Sequence, residues 1–408
     1  LFAARGALEH LLRPADYTTA PARARELAWL RRHWHLHALA VDLERPGDQV
    51  AGDVVGVPVV VRNDGGRLVG FVNVCPHRHS LLVRPGATNA ATLRCMYHGW
   101  TFDEGGSLCR LPDGPSFVGL DGHAARLRSI AVERCGALVF VHLQADAPSF
   151  VAGLPDGGAE LQARFGAHRP VDRWTTLHDV DWKVVVENTV ESYHVPLVHP
   201  ATFRDFRAPE QHDHHLWSGG TRYADLKPWG TEAAGLAARA LGFVFGAAPV
   251  GRFVHTHLFP TTMTYANALV STVMSVMPQE DGRTRVTLAS FVPERLPSPL
   301  LRPLQLLFGV VFSRLGRRIV AEDMRLWPHV QRGLRGSQLT GAHAGVLGAR
   351  EERVHAFQRF VLDGCRPAEH EDEDEDEAAA HAALETCRPA PDDAPARPAP
   401  PLRARADG

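Results

Sequence analysis

The sequence lacks any hydrophobic run long enough to cross a bilayer as a helix. Its two most apolar stretches, 241–250 and 304–312, are far shorter than the roughly 20 residues such a span requires. It also lacks a surplus of charge of either sign. With 44 Lys and Arg against 46 Asp and Glu, the formal net charge is −2, which gives no reason to expect nucleic acid or an anionic membrane as partner. No secretory leader is legible, because residues 1–14 carry charges throughout; a first residue of Leu rather than Met leaves the natural start expected upstream. Cysteine is scarce. Of the six, Cys109, Cys135, Cys365 and Cys387 form no obvious disulfide framework, and a reducing cytoplasm is the expected location. A Gly-rich dinucleotide fingerprint is missing too, since Gly341-Ala-His-Ala-Gly345 has the wrong spacing, and no internal repeat is visible.

Histidine, by contrast, is plentiful at 23 residues, and a few of these have the spacing of ligands. Cys75-Pro-His77 and Cys95-Met-Tyr-His98 offer two thiolates and two imidazoles from two loops. Soft sulfurs suit zinc or iron–sulfur chemistry, and the imidazoles leave both open. In a [2Fe–2S] centre of mixed ligation, one iron takes both cysteines and the other both histidines, which raises the reduction potential. Which metal is bound decides whether the chain moves electrons or only holds itself together.

The texture along the chain sets these pairs in context. Residues 1–36 read as helical, with Leu27, Trp29, Leu30 and Trp34 among arginines. From about residue 37 short β runs follow, at 54–62, 67–74, 92–95, 100–102 and 137–142. Asn63-Asp-Gly-Gly66 and Asp103-Glu-Gly-Gly106 punctuate them as hairpins. This predicts a small, largely antiparallel domain over 37–148 with the Cys/His pairs on its loops. A Pro/Gly/Asp-rich boundary at 147–158 opens a larger mixed domain, 149–365. It is expected to hold a helix at 182–193, β runs at 252–277 and 283–293, and helices near 317–335 and 350–362. Residues 366–408, nearly continuous acid followed by Pro, Ala and Arg, are expected to remain a disordered, solvated tail.

Within the larger domain, Glu187-Asn-Thr-Val-Glu-Ser-Tyr-His-Val-Pro-Leu-Val-His199 is the second informative stretch. Glu191 and His194 would share a helical face. His194 and His199 would diverge by about 140° on a continuous helix, and Pro196 is expected to break it and turn His199 back. Two histidines and one distant carboxylate would make a facial triad with open positions on a non-haem iron. Asp323 is the preferred third ligand; on chemistry alone Glu322 and Asp205 rival it. His212, His214 and His215 read as surface or pocket-rim residues, and Cys109 and Cys135 as small buried apolar ones. His255 and His257 would share one sheet face, either lining a cavity or satisfied in the core.

These motifs together closely resemble the α subunits of Rieske non-haem iron oxygenases, the ring-hydroxylating oxygenase family, from about Trp29 to Leu362. Asn73-Val-Cys-Pro-His-Arg78, Cys95-Met-Tyr-His-Gly-Trp100, the 187–199 stretch and Glu322-Asp323 carry the resemblance. It implies an α+β fold: a small antiparallel β Rieske domain plus a larger catalytic domain with a central antiparallel sheet flanked by helices, on which the 1–36 segment packs. It implies that Cys75 and Cys95 bind the buried iron of a [2Fe–2S] cluster and His77 and His98 the outer one. His194, His199 and Asp323 would hold a mononuclear Fe(II), with Asn188 and Tyr193 as supports beside it. Glu191 matches the acidic residue that links a triad histidine of one subunit to a cluster histidine of its neighbour. Electrons would then cross a head-to-tail trimer interface from His98 through Glu191 to His194. Two departures stand out: His79 occupies a position commonly held by a small residue, often Gly. Glu replaces the commoner Asp at 191, as in members that act on quaternary amines.

The leading expectation is therefore a terminal oxygenase component. Its electrons would come from NAD(P)H through a reductase, with or without a ferredoxin, to a homotrimer, or to an α3β3 assembly if a β subunit exists. It would hydroxylate an aromatic or cyclic organic substrate, with an organic acid preferred. The alternative is a monooxygenase or N-demethylase of a quaternary ammonium or methylated amine. A Rieske electron carrier without oxygenase activity ranks third, and a zinc-stabilised binding protein last. Trp217, Trp229 and Tyr265 are the aromatics available to stack on a ring or to face a cation.

Overall fold

The structure, a computed structural model, describes residues 4, 6–120, 125–166, 168–200, 212–225, 253–266, 270–294, 296, 298–341 and 345–366. The expectations for Asp205, Trp229 and the tail beyond Arg366 lie outside the described residues. Residues 1–365 form one compact unit.

The chain opens with a two-residue strand, β1 (Leu8–Glu9), where a helix was expected; it pairs with β19 (Val346–Leu347). Two helices follow, α1 (Pro14–Thr18) and α2 (Ala20–Leu30). Thr19 separates them, closing the first and capping the second with its hydroxyl, which accepts from the Ala22 amide at 3.4 Å. Leu27 and Leu30 bury one face of α2, and Trp29 packs edge-on against Phe360.

The first sheet has seven antiparallel strands in the order β2 (His35–Leu39), β11 (Leu138–His142), β10 (Ser129–Cys135), β5 (Arg67–Val72), β4 (Val57–Asp64), β3 (Asp48–Val54) and β6 (Gly86–Asn89). Asp64 pairs with Arg67, so Gly65 and Gly66 alone make the turn. Both have positive φ, +60° and +99°, as a two-residue hairpin of the primed type requires. A small second sheet joins β7 (Leu93–Arg94), β8 (Thr101–Phe102) and β9 (Leu108–Arg110). Its hairpin is tied by Asp103, whose carboxylate accepts from the Gly105 and Ser107 amides at 2.9 and 2.8 Å. Val60, Phe71, Leu82, Leu93, Trp100 and Phe102 make an apolar cluster of their own here, and Cys75 and Cys95 belong to it.

After α3 (Ala159–Phe165) comes the third sheet, again seven antiparallel strands. Its order is β12 (His168–His178), β18 (Thr284–Pro293), β17 (Ser271–Pro278), β16 (Thr262–Ala266), β15 (Val254–Leu258), β14 (Gly220–Asp225) and β13 (His212–Trp217). Partners directly opposite share a face, so His214, Tyr223, His255, Tyr265 and Thr272 form one row across it. Helices α4 (Trp182–Val190), α6 (Arg302–Thr340) and α7 (Glu352–Gly364) pack on the sheet, and α5 (Val195–Val198) is a single turn. The helix expected near 317–335 extends over 39 residues, because the apolar run at 304–312 is its first part. It comes close to the sheet at Gly309, where an added Cβ would stand 2.9 Å from Val292 and 3.2 Å from Val171. Among the described residues no helix is long and apolar enough to cross a membrane.

Candidate active site

The two Cys/His loops share one backbone design. In the first the His79 amide bonds the Cys75 carbonyl at 3.0 Å, and in the second the Gly99 amide bonds the Cys95 carbonyl at 3.0 Å. The fourth residue after each cysteine is left-handed, φ +56° at His79 and +76° at Gly99. That geometry explains why a glycine is natural at position 79: a side chain there sits where L residues rarely go. Asn73 braces the first loop with a reciprocal pair of bonds to Val83, at 2.8 and 2.9 Å.

The four donors are arranged from inside to outside. Cys75 and Cys95 are only 1% and 2% exposed, whereas His98 is exposed. His77 lies between, its ring stacked on Trp100 at 4.8 Å and 4.6 Å from the His98 ring. Burial pushes the Cys75 thiol up to about 11, with Cys95 adding to the effect, so a metal is what would draw off the Cys75 proton. His77 Nδ1 is buried without a hydrogen-bond partner, a cost that a metal bond would remove. Buried sulfurs under outward imidazoles, one with a vacant nitrogen, fit a mixed-ligand [2Fe–2S] cluster.

The second constellation starts at α4. Asp181 caps it by accepting from the Lys183 amide at 3.0 Å, and Trp182, Val184, Val185, Val186 and Val190 anchor it in the core. Lys183, wholly buried, extends instead to Glu26 of α2 at 2.6 Å and to Asp181 at 2.8 Å. The helix was expected to run to 193 with Pro196 as its breaker. It ends at Val190, with Glu191 extended at φ −116° and ψ 165°. Pro196 instead sits in the first turn of α5, where a missing N–H costs nothing. The break therefore comes at Glu191, before the proline is reached, and α5 forms a separate helical turn between His194 and His199.

This turn brings the predicted residues together. Ligand atoms of His194, His199 and Asp323 all lie within 4.8 Å of one another. The two Nε2 atoms are 3.3 Å apart, and Asp323 Oδ1 stands 3.4 Å from one and 3.1 Å from the other. Despite that proximity Asp323 Oδ1, though buried, makes no well-directed hydrogen bond. Burial resists protonation of His194, but the carboxylates of Asp323 and Glu191 outweigh it and lift the ring to about 9. The same contest raises His199, and against its own burial Asp323 is held below the usual carboxylate range by the two imidazoles. Three donors facing one point and held in tension with protons fit a divalent cation.

Each imidazole is fixed by its other nitrogen. His194 Nδ1 bonds Glu191 Oε1, while Glu191 Oε2 accepts from the Tyr193 amide and, at 3.2 Å, from the His194 amide. His199 Nδ1 bonds Glu322 Oε2 at 2.8 Å. Glu322, a rival ligand on sequence, thus stands behind a histidine instead of beside Asp323. Asn188 accepts from the Trp327 indole at 2.7 Å, which ties α4 to α6 one turn beyond Asp323. Tyr193 presents its ring to solvent, 65% exposed, and meets Glu191 through its backbone.

Other residues are placed less as the sequence suggested. His212 and His214 are buried beside Asp225 (3.3 Å) and Glu352 (2.9 Å), and only His215 is exposed. Cys109 is exposed, while Cys135 is buried. His257 is fully buried and bonds the Pro260 carbonyl at 2.9 Å. Alternation along β13 places Trp217 on the sheet face opposite Tyr265. Arg353, fully buried against the Tyr265 face, had no signal in the sequence beyond being one more arginine in an amphipathic helix.

Comparison with known proteins agrees with this geometry. Residues 33–123 match the Rieske [2Fe-2S] domain family, and 165–366 match the family described as the ring hydroxylating alpha subunit, catalytic domain. The carnitine monooxygenase oxygenase subunit of Escherichia coli K12 is 32% identical over 204 residues, 48% of this chain and 54% of that protein. The anthranilate 1,2-dioxygenase large subunit of Burkholderia cepacia is 32% identical over 190 residues, covering 43% and 44%. The matched region thus spans about half the length of these curated relatives. A crystal structure of the quaternary ammonium Rieske monooxygenase CntA with an inhibitor superposes with a TM-score of 0.70 at 22% identity, covering 88% of this chain and 96% of that one. With both domains in order and both donor sets assembled, the chain belongs to the Rieske non-haem iron oxygenase α subunits, whose cofactors are a Rieske [2Fe–2S] cluster and a mononuclear iron.

Proposed function

We propose that this chain is the terminal oxygenase component of a multicomponent system that hydroxylates an aromatic or cyclic organic substrate with dioxygen and NAD(P)H-derived electrons. The observation that supports this best is the donor set of His194, His199 and Asp323, with ligand atoms within 4.8 Å and each histidine backed by its own carboxylate. When bound, the iron at those three residues supplies dioxygen activation and the cluster at Cys75, His77, Cys95 and His98 supplies electrons singly.

The chain's own residues set the conditions. Glu191 accepts a hydrogen bond from the His194 Nδ1–H, which leaves the Nε2 lone pair free for a metal, and the backbone amides that bond its other oxygen stop the carboxylate from swinging away. Glu322 does the same for His199. Asn188 holds Trp327 and thereby the turn of α6 that presents Asp323, a positioning role. Glu191 would also meet His98 of the partner subunit in a head-to-tail homotrimer, or in an α3β3 assembly, for which the exposure of His98 provides the opening. A cytoplasmic reductase, directly or through a ferredoxin, would deliver the electrons.

A second reading, a monooxygenase or N-demethylase of a quaternary ammonium or methylated amine, is favoured by Glu at 191 and by the carnitine monooxygenase relative. Oxygen uptake and product mass across a small-molecule panel, with a surrogate reductase, separate the two: ring hydroxylation supports the first, loss or hydroxylation of an alkyl group on nitrogen the second. Absence of uptake with every compound would leave only an electron carrier.

A further inference from the structure

The helix face of the third sheet carries a buried cation without a counter-ion. Arg353, in the first turn of α7, is 2% exposed and, among the described residues, has no carboxylate within ion-pair distance. Its Nε donates to Thr221 Oγ1 at 3.0 Å and its Nη1 to His255 Nδ1 at 3.1 Å. Nη2 is buried with no hydrogen-bond partner among the described residues. The adjacent Glu352 is engaged elsewhere, by His214 at 2.9 Å and by the Ala4 amide at 2.8 Å.

Arginine can only donate, so His255 Nδ1 must accept, and the neutral ring then carries its proton on Nε2. Burial holds His255 well below its usual range, and Arg353 reinforces that. His255 Nε2 is buried and, among the described residues, unpartnered as well. Two donors, one of them charged, therefore stand in the interior without acceptors, an expensive arrangement unless something brings the acceptors in. Burial lowers Arg353 to about 9, which leaves it charged at neutral pH.

The place is adjacent to the iron ligands. His255 stacks on Tyr265 at 4.5 Å with the rings 7° from parallel. The Tyr265 phenol, whose hydroxyl meets Met274 Sδ at 3.5 Å, is pushed up first by burial and then by the Asp323 carboxylate, so the ring feels the charge of the triad. The succession Asp323, Tyr265, His255, Arg353 thus leads from the iron site to the unpaired guanidinium.

Resting on the oxygenase reading above, we infer that Arg353 binds a carboxylate of the substrate, held in place by Thr221 and His255, and so selects small organic acids. An aromatic acid and a zwitterionic quaternary ammonium acid share this group, and the test must tell them apart.

The holoenzyme with a surrogate reductase is given two matched pairs: benzoate against benzamide, and 4-(trimethylammonio)butanoate against its amide. Calorimetric binding is read separately from oxygen uptake. The acid of at least one pair should bind at least about 10-fold more tightly than its amide, as expected for a lost charge-assisted bond. The pair showing it identifies the source. In Arg353→Gln the preference should collapse towards one, with Arg353→Lys intermediate and cluster absorbance and iron content as in the parent. Equal binding of acid and amide in both pairs, or a preference that survives in Arg353→Gln, would overturn the assignment. Should Arg353→Gln fail to fold, Arg353→Lys and the parent pairs still decide. Arg353-dependent acid binding without any oxygen uptake would instead overturn the oxygenase reading and leave the carboxylate site standing.

Discussion

Glu322 grips His199 at Nδ1, 2.8 Å away, while its sequence neighbour Asp323 faces the same ring at Nε2 from 3.1 Å. Adjacent residues on a helix point about 100° apart, so one turn of α6 can serve both edges of a single imidazole. Glu322→Ala should leave the triad's donor atoms in place but free the His199 ring to rotate. Iron affinity is expected to fall roughly 10–100-fold, with the cluster spectrum unchanged. Titrating ferrous ion into the stripped protein reads this directly; parent-like affinity would remove Glu322 from the support of the site.

Glu191→Ala removes the carboxylate from His194 and from two backbone amides together. Both metal centres should load, while product formed per electron supplied should fall roughly 10–100-fold or more. Iron analysis alongside product yield checks this, and full coupled activity in the variant would exclude the bridging role.

Asn188→Ala leaves the buried Trp327 indole N–H without its acceptor at 2.7 Å. A stranded buried donor costs about 1–3 kcal/mol, seen as a lower midpoint in urea. Because Trp327 lies one turn from Asp323, weaker iron retention should accompany the loss. A stability change without any change in iron binding would make the contact purely structural.

Lys183 and Glu26 form a pair buried at the junction of α2 and α4, with Nζ 2.6 Å from the carboxylate. Lys183→Met should destabilise the chain by about 3–5 kcal/mol, since Glu26 is left uncompensated, and adding Glu26→Gln should recover much of it. Denaturant midpoints for the two singles and the double provide the test; additive losses would mean that the pair is not coupled.

Acid should destabilise the fold through a buried imidazole. Burial pushes the fully buried His35 down to about 4, against the pull of its bond to the Leu30 carbonyl at 2.8 Å. The unfolded chain binds that proton below about 6.5, so stability is fully present above this pH and is lost as pH falls towards 4. The loss from this ring amounts to about 3 kcal/mol at most. Comparing unfolding at pH 7 and pH 4.5 in the parent and in His35→Gln should show a shallower pH dependence in the variant.

Much of this arrangement was legible in the sequence where chemistry restricts the residue types. Cys75, His77, Cys95 and His98, together with His194 and His199, announce themselves by type and spacing, and the hairpins at Gly65-Gly66 and Asp103 by their turn residues. What escaped depends on tertiary context. The break in the helix was attributed to Pro196, but it comes earlier, at Glu191, where side-chain bonds that no spacing reveals hold the chain, and Pro196 only begins α5 between the two histidines. Asp323 was preferred over Glu322 as the third ligand, but chemistry and spacing alone could not rank the two, and the role of Glu322 behind His199 shows only once α6 is oriented against α5. Strands β13 and β14, with His212 and His214 buried, were missed because their polar residues pair across the sheet and with α7, where a sequence pattern shows only an exposed-looking run.

The central claim is that the two donor sets form one oxygenase. Its most direct test is a single turnover: loaded protein, reduced chemically and freed of reductant, is mixed with dioxygen and a panel of small organic acids. The expected result is a brown-red protein with three irons per chain that consumes oxygen and forms oxygenated product when a suitable acid is present. A protein that reoxidises its cluster with no oxygenated product for any compound, or that is colourless and holds zinc, would contradict it.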